Sequence, residues 1–413
     1  MQTTLKNGAP GGWAASGALV MGADYRALGV VRSLGRHRIP VWLVKRGGHL
    51  VAATSRYVRR RVPWPSGDDS GMIDYLVGIA VTHKLDGWLL FPTDDYAVAL
   101  VARYYETLAC HYRSTVPRWE DVRWACDKRL LYDAVEKVRL VQPWTAFPTN
   151  RDDLESLECP FPVIIKPALR LRPSTHRTPK SWPASDRRSL LARYDEASAV
   201  VPAEHLMVQE VVPGDGDSQF SYAALCKDGE SLASLVARRT RQFPSDFGQL
   251  STYVETVDQP RVVEAATRLL ATMRFTGLVE VEFKRDPRDG QFKVLDVNPR
   301  VWGWHTLARR VGIDFPLFAW LLFNGAPVPE RRGRAGERWM HFSADLRLAV
   351  SEVLAGSFSL RAYIRSLSGP RESAIFAWDD PLPGLLDLPL FACTAGRRLL
   401  LSRRLSPTKR LTA

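Results

Sequence analysis

Residues 277–300 constrain the fold of this chain more than any other stretch. Gly277-Leu-Val-Glu-Val-Glu-Phe-Lys284 and Val294-Leu-Asp-Val-Asn-Pro-Arg300 flank a turn at Pro287–Gly290. Residues 278–283 and 291–297 alternate in the β manner, and Arg288-Asp289-Gly290 reads as a three-residue hairpin loop whose glycine takes the left-handed position. That register sets Glu282 opposite Asp296. Period-two alternation then sends Asn298 to the face of Asp296, and Glu280 to the face of Glu282. Two carboxylates about 4 Å apart repel by roughly 4 kcal/mol at an effective dielectric of about 20, so both stay ionised only with positive charge between them. Carboxylates with an amide oxygen are hard ligands suited to magnesium, with manganese as the alternative, and magnesium keeps positions for water and phosphates. The predicted metal ligands are Glu282, Asp296 and Asn298, with Arg300 facing the same charge. Glu280 and Lys284, taken singly, read as polar residues on the solvent face of an antiparallel hairpin.

The hairpin resembles the metal-binding core of the ATP-grasp superfamily, whose pattern is a glutamate in a strand, then an acid, a hydrophobic residue, Asn, a variable residue and Arg. Here those positions are Glu282, Asp296, Asn298 and Arg300, with aspartate in place of the more usual glutamate at 296. Cys126-Asp127-Lys128-Arg129 resembles the start of the family helix that carries a first phosphate-contacting lysine. Pro162-Val-Ile-Ile-Lys166-Pro167 resembles the strand that ends in the second. Val208-Gln-Glu-Val-Val-Pro-Gly214 resembles the hinge strand. The resemblance implies that Gln209 or Glu210 and the main chain near Val212 hold adenine, and that Asp215 or Asp217 holds the ribose. Arg238 and Arg239 are carried over as candidates facing the phosphates; alternation puts Arg239 and Arg241 on one face of their strand and Arg238 on the other.

One departure stands out. The glycine-rich phosphate loop of many family members is replaced by Ala168–Trp182, which has no glycine, so Arg170, Arg172, His176, Arg177 and Lys180 become the candidate phosphate cover. This departure resembles the branch of carboxylate-amine ligases that includes D-aspartate ligase-like proteins. The resemblance implies ATP and Mg2+ as cofactors, small-molecule carboxylate and amine substrates, and C–N bond formation through an acyl phosphate. The competing readings are ATP-dependent carboxylation or phosphorylation, a nucleotide-binding module without turnover and, last, a nicotinamide oxidoreductase.

At 413 residues the chain accommodates two to three domains. The N-terminal region reads strand, helix, strand from Ala18 to Val44, and a second α/β unit runs to Trp88–Phe91 and Pro92-Thr-Asp-Asp95. This predicts a doubly wound pre-ATP-grasp domain at 1–122, followed by an α+β ATP-grasp domain at 123–330 (small lobe 123–205, metal and nucleotide lobe 206–330) and a C-terminal extension at 331–413. Ala23 and Asp24 stand where close approach to a pyrophosphate wants glycine. Thr93, Asp94 and Asp95 are candidate contacts for an amine-bearing substrate, but the preferred reading is a helix cap. Trp302 and His305 could wall the acceptor pocket; core packing is the default for both.

The net charge of +13 is spread along the chain, outside 168–188 and 397–410, without the interleaved aromatics of a base-stacking platform. Nucleic acid is therefore not expected as a partner. The tail Arg397–Arg404 offers weak peripheral contact with anionic lipid. No apolar run is long enough to span a membrane, the first residues do not resemble a secretion signal, and the chain reads as cytoplasmic. Five scattered cysteines suggest neither zinc nor a disulfide framework.

Overall fold

The chain is described by a computed structural model covering residues 16–387 and 389, apart from 46–49, 170–178, 180, 244–249, 357 and 370. The first unit contains β1 (Ala18–Met21), α1 (Tyr25–Arg36), β2 (Val41–Lys45), β3 (Val58–Pro63), α2 (Asp69–His83), β4 (Trp88–Pro92), α3 (Asp95–Arg103), α4 (Tyr105–Ala109) and β5 (Tyr112–Ser114). Its parallel sheet has the order β3-β2-β1-β4-β5. Both faces are covered, so β1 is apolar throughout: Ala18 and Val20 pack toward α1, Leu19 and Met21 toward α2 and α3. The strand order reverses between β1 and β4, which opens a crevice beyond their carboxyl ends. Asp24 caps α1 and Asp94 caps α3 at that crevice.

The small lobe comprises α5 (Trp119–Cys126), α6 (Lys128–Lys137), β6 (Thr145–Ala146), α7 (Arg151–Ser156), β7 (Val163–Pro167), β8 (Trp182–Ala184), α8 (Arg187–Ser198) and β9 (Leu206–Glu210). Its four-stranded sheet runs β6-β9-β7-β8. The lobe division therefore falls after Glu210, not at 206 as predicted, because β9 finds its partners in β6 and β7.

The large lobe comprises β10 (Gln219–Lys227), β11 (Glu230–Phe243), β12 (Leu250–Thr256), α9 (Pro260–Thr272), β13 (Gly277–Arg285), β14 (Phe292–Asn298), α10 (Phe315–Phe323), β15 (Arg331–Arg332), β16 (Arg338–Met340), α11 (Phe342–Leu354), α12 (Leu360–Ser366) and β17 (Glu372–Ser373). The sheet order is β14-β13-β10-β11-β12-β16-β17, with β15 beside β11. The predicted C-terminal extension is thus partly sheet. Phe220, Tyr222, Ala224, Val279, Val281 and Phe283 pack under α6 and α9 on one face. Ala223, Leu225, Leu235 and Leu278 pack against α1, α10 and Trp304 on the other. That second face is where the hairpin acids lie. Among the described residues no helix is long and apolar enough to cross a membrane.

Candidate active site

In the β13–β14 ladder Glu282 pairs with Asp296 and Glu280 with Asn298, which puts all four on one face as the alternation predicts. The register depends on a bulge at Leu295: Phe283 pairs with Val294, but Glu282 pairs with Asp296. The unmatched residue lets Val294 and Val297 both reach the apolar face while Asp296 and Asn298 turn away from it. The loop is longer than expected. The Asp286 N–H donates to Gln291 O (2.8 Å) and Gly290 N–H to Asp286 O (2.7 Å), which leaves Pro287–Gly290 as a four-residue turn with Gly290 at φ 71°.

Glu280 is not on a solvent face. It is buried, accepting from Trp304 Nε1 (3.0 Å) and Asn298 Nδ2 (3.2 Å), and its carboxyl is pushed up to about 7 by burial and by the neighbouring Glu282. Arg239 is the positive charge that holds the two acids together, 2.6 Å from Glu282 and 3.5 Å from Glu280. Burial opposes the guanidinium charge, but the two carboxylates outweigh it and raise its pKa. Glu282 also accepts from Asn298 Nδ2 at 2.8 Å.

Lys128 stands at the first turn of α6, capped by Asp127, and its ammonium forms an ion pair with Asp296. The first predicted phosphate lysine and a predicted metal carboxylate thus meet across 168 residues of sequence. Lys166 lies on β7 in register with Met207. It shares the face on which Met207 packs under α6 and Gln209 donates to Tyr132 of α6. Arg300 reaches the N-terminal unit: its Nε donates to Asp95 Oδ1 (2.5 Å) and its Nη2 to Asn298 Oδ1 (3.0 Å). Asp94 accepts from Ala97 N–H as the expected cap, and Thr93 Oγ1 donates to Met21 O. Of the three, only Asp95 is brought to Arg300. Tyr25 and Arg26, which the sequence reading missed, stand at the same crevice on the first turn of α1. The signal that could have found them is their place directly after β1 of a doubly wound unit.

Several candidates lie elsewhere. Arg238 is on the opposite sheet face from Glu282, in register with Phe220, and is paired with Glu255. Arg241 does not share the face of Arg239, because a bulge at Thr240 puts it in register with Tyr253; it binds Asp345 (2.7 Å) beneath α11. Gln209 donates to Tyr132 Oη (2.6 Å) and Thr145 Oγ1 (2.9 Å), so its amide nitrogen is engaged inside the small lobe. Glu210 accepts from Trp144 N–H (3.1 Å), Lys293 Nζ (2.6 Å) and Arg288 Nη2 (2.9 Å), tying the small lobe to the hairpin. Burial raises its pKa, but these donors outweigh that and leave it lowered. Both side chains are engaged by protein groups. Val212 is buried just past the end of β9, while Asp215 and Asp217 occupy an exposed turn. Arg170, Arg172, His176, Arg177 and Lys180 lie outside the described residues, as does the tail at 397–404. His305 and Trp302 are buried core residues, as the default reading has it. Burial pushes the Cys126 thiol up to about 12, which leaves it unreactive at neutral pH.

Among the described residues no group of three or more Asp, Glu, His or Cys side chains could by itself hold a metal. Glu282 and Asp296 nevertheless remain partly open to the cleft, with side chains 19% and 38% exposed. Two carboxylates with an amide oxygen fit magnesium, which is commonly bound by one or two carboxylates plus phosphates and water.

The doubly wound front unit, the small antiparallel lobe carrying a lysine strand, and the large sheet with an acid hairpin together make an ATP-grasp fold. Residues 203–339 match the family described as ATP-grasp in the biosynthetic pathway with Ter operon. Among solved structures, the chain resembles an L-amino acid ligase from Bacillus licheniformis at 17% identity and a TM-score of 0.57, over 75% of this chain and 74% of that one. It resembles the biotin carboxylase domain of 2-oxoglutarate carboxylase from Hydrogenobacter thermophilus, solved with MgADP and bicarbonate, at 10% identity and a TM-score of 0.61, over 78% and 73%. N5-carboxyaminoimidazole synthetase from Staphylococcus aureus is similar at 10% identity and a TM-score of 0.55, over 76% and 79%. No curated protein matches the sequence.

Proposed function

We propose that the chain is an ATP- and Mg2+-dependent ligase that joins a carboxylate to an amine with release of ADP and phosphate. The observation that carries this reading is the convergence of Glu282, Asp296 and Asn298 with Lys128 and Arg300 in one connected set of side chains that reaches Asp95 of the front unit. Magnesium held by Glu282, Asp296 and Asn298 supplies charge neutralisation for the phosphates when bound. Lys128 and Lys166 neutralise the rest of the phosphate chain. Arg239 keeps the acids in place, and Arg300 faces the transferring group. The substrate carboxylate attacks the γ-phosphorus, ADP leaves, and the amine displaces phosphate from the acyl phosphate. Asp95 holds Arg300 in position from the far side through its contact with Nε. Such catalysis is positioning and electrostatics, with no side-chain nucleophile. One of the similar structures is an L-amino acid ligase, which supports a ligase reading.

The test is ADP release with magnesium against a matrix of amino acids, peptides and other carboxylates, with hydroxylamine present as a trap. Hydroxamate formed in step with ADP supports ligation. ADP release that requires bicarbonate assigns carboxylation, and nucleotide affinity without ADP release across the matrix assigns a non-catalytic module.

A further inference from the structure

Of the eleven large hydrophobic side chains exposed among the described residues, eight lie between Phe342 and Leu385. Five of the eight stand on two consecutive helices, and apolar residues gathered on one surface mark an interaction site whereas singly scattered ones are normal. Val350 and Leu354 stand at i and i+4 on α11, and Leu360 and Ile364 at i and i+4 on α12. Leu354 and Leu360 flank the short turn between the helices and are 84% and 57% exposed. The inner faces of the same helices are well packed, Ala349 and Tyr363 sharing a core with Tyr253 and Met340. The outer faces have no such partner among the described residues.

Charge decides what could cover them. Acids of this region are already engaged: Asp345 and Asp380 are buried in ion pairs with Arg241 and Arg32, and the exposed Asp379 pairs with Arg36. Arg361 and Arg365 are exposed beside Leu360 and Ile364, and among the described residues neither has a carboxylate partner. A second copy of the chain is a poor occupant, since an isologous interface would set these arginines against their own counterparts. A surface that is apolar, positively charged and helical is the arrangement that inserts at the boundary between lipid headgroups and acyl chains.

We propose that the outer surface of α11 and α12 docks on an anionic lipid bilayer. Leu354, Leu360 and Ile364 enter the headgroup layer, and Arg361 and Arg365 pair with lipid phosphates. The inference is independent of the reaction performed in the cleft, which lies on the front-unit side of the large sheet.

The full chain is to be sedimented with vesicles of pure phosphatidylcholine and with vesicles of equal parts phosphatidylcholine and phosphatidylglycerol, at low and high salt. The expected result is binding to the anionic vesicles only, weakened by salt. An Arg361→Ala/Arg365→Ala variant should bind roughly twenty-five-fold more weakly, at about five-fold for each arginine near the surface. Leu354→Glu/Ile364→Glu should abolish binding, with the thermal midpoint showing that the variants remain folded. Absence of anionic-lipid binding overturns the proposal. So does binding equally strong in both variants, which would assign it to the basic tail, or self-association abolished by Leu354→Glu, which would make the occupant a second copy.

Discussion

Arg239 is the residue on which the candidate site depends most, because the buried Glu280 and the half-buried Glu282 share its guanidinium. Removing one partner of a buried ion pair costs about 3–5 kcal/mol through the uncompensated charge left behind. Arg239→Ala is therefore expected to lower the unfolding free energy by about that much in urea titrations. Added Mg2+ should restore part of the loss if the cation takes up the same negative charge. His305 gives a second prediction. Burial lowers its pKa from 6.5 to about 4, while its Nδ1 is bonded to Trp302 O at 2.9 Å. A histidine buried neutral stabilises the fold fully above its unfolded pKa and loses that contribution as pH falls toward the folded one. Between pH 6.5 and 4 the wild type should lose roughly 3 kcal/mol more than a His305→Gln variant, read from denaturation midpoints across the range.

Elements set where these residues can stand. Helix α1 approaches the segment after β14 closely enough that a Cβ on Gly29 would lie 2.4 Å from His305 Nε2. Gly29→Ala should therefore destabilise the protein by about 1–3 kcal/mol despite its better helix propensity, a balance that thermal unfolding will show. The same scale explains what the sequence could and could not reveal. The face shared by Glu280, Glu282, Asp296 and Asn298 was legible because alternation fixes side-chain direction once two strands are paired. The bulge at Leu295 left that reading intact, since it falls on the turn side of the acids. The bulge at Thr240 did not, and it moved Arg241 to the other face to meet Asp345. The ion pairs of Glu210 were not legible for a different reason. Its partners Lys293 and Arg288 are about eighty residues away, and no local pattern announces a contact made by the tertiary fold.

Across the whole molecule, the C-terminal segment is fastened to the front unit by Asp380. It accepts from Arg32 Nε (2.9 Å), Ser55 Oγ (2.7 Å) and Arg56 N–H (2.9 Å), and Arg32 also donates to Ile375 O (2.6 Å). Asp380→Ala strands a buried guanidinium and should cost about 3–5 kcal/mol. It should also raise protease susceptibility at the segment 371–387, read by limited proteolysis. This clasp keeps α1, and with it Asp24, Tyr25 and Arg26, beside the cleft in which Arg300 meets Asp95. The central claim is that the β13–β14 acids and Lys128 form a magnesium–nucleotide site. Calorimetric titration of a non-hydrolysable ATP analogue, with and without Mg2+, into the wild type and into a folded Glu282→Gln/Asp296→Asn variant tests this most directly. Mg2+-dependent binding to the wild type that the variant loses is expected; equal binding by both proteins, or binding indifferent to Mg2+, would rule the site out.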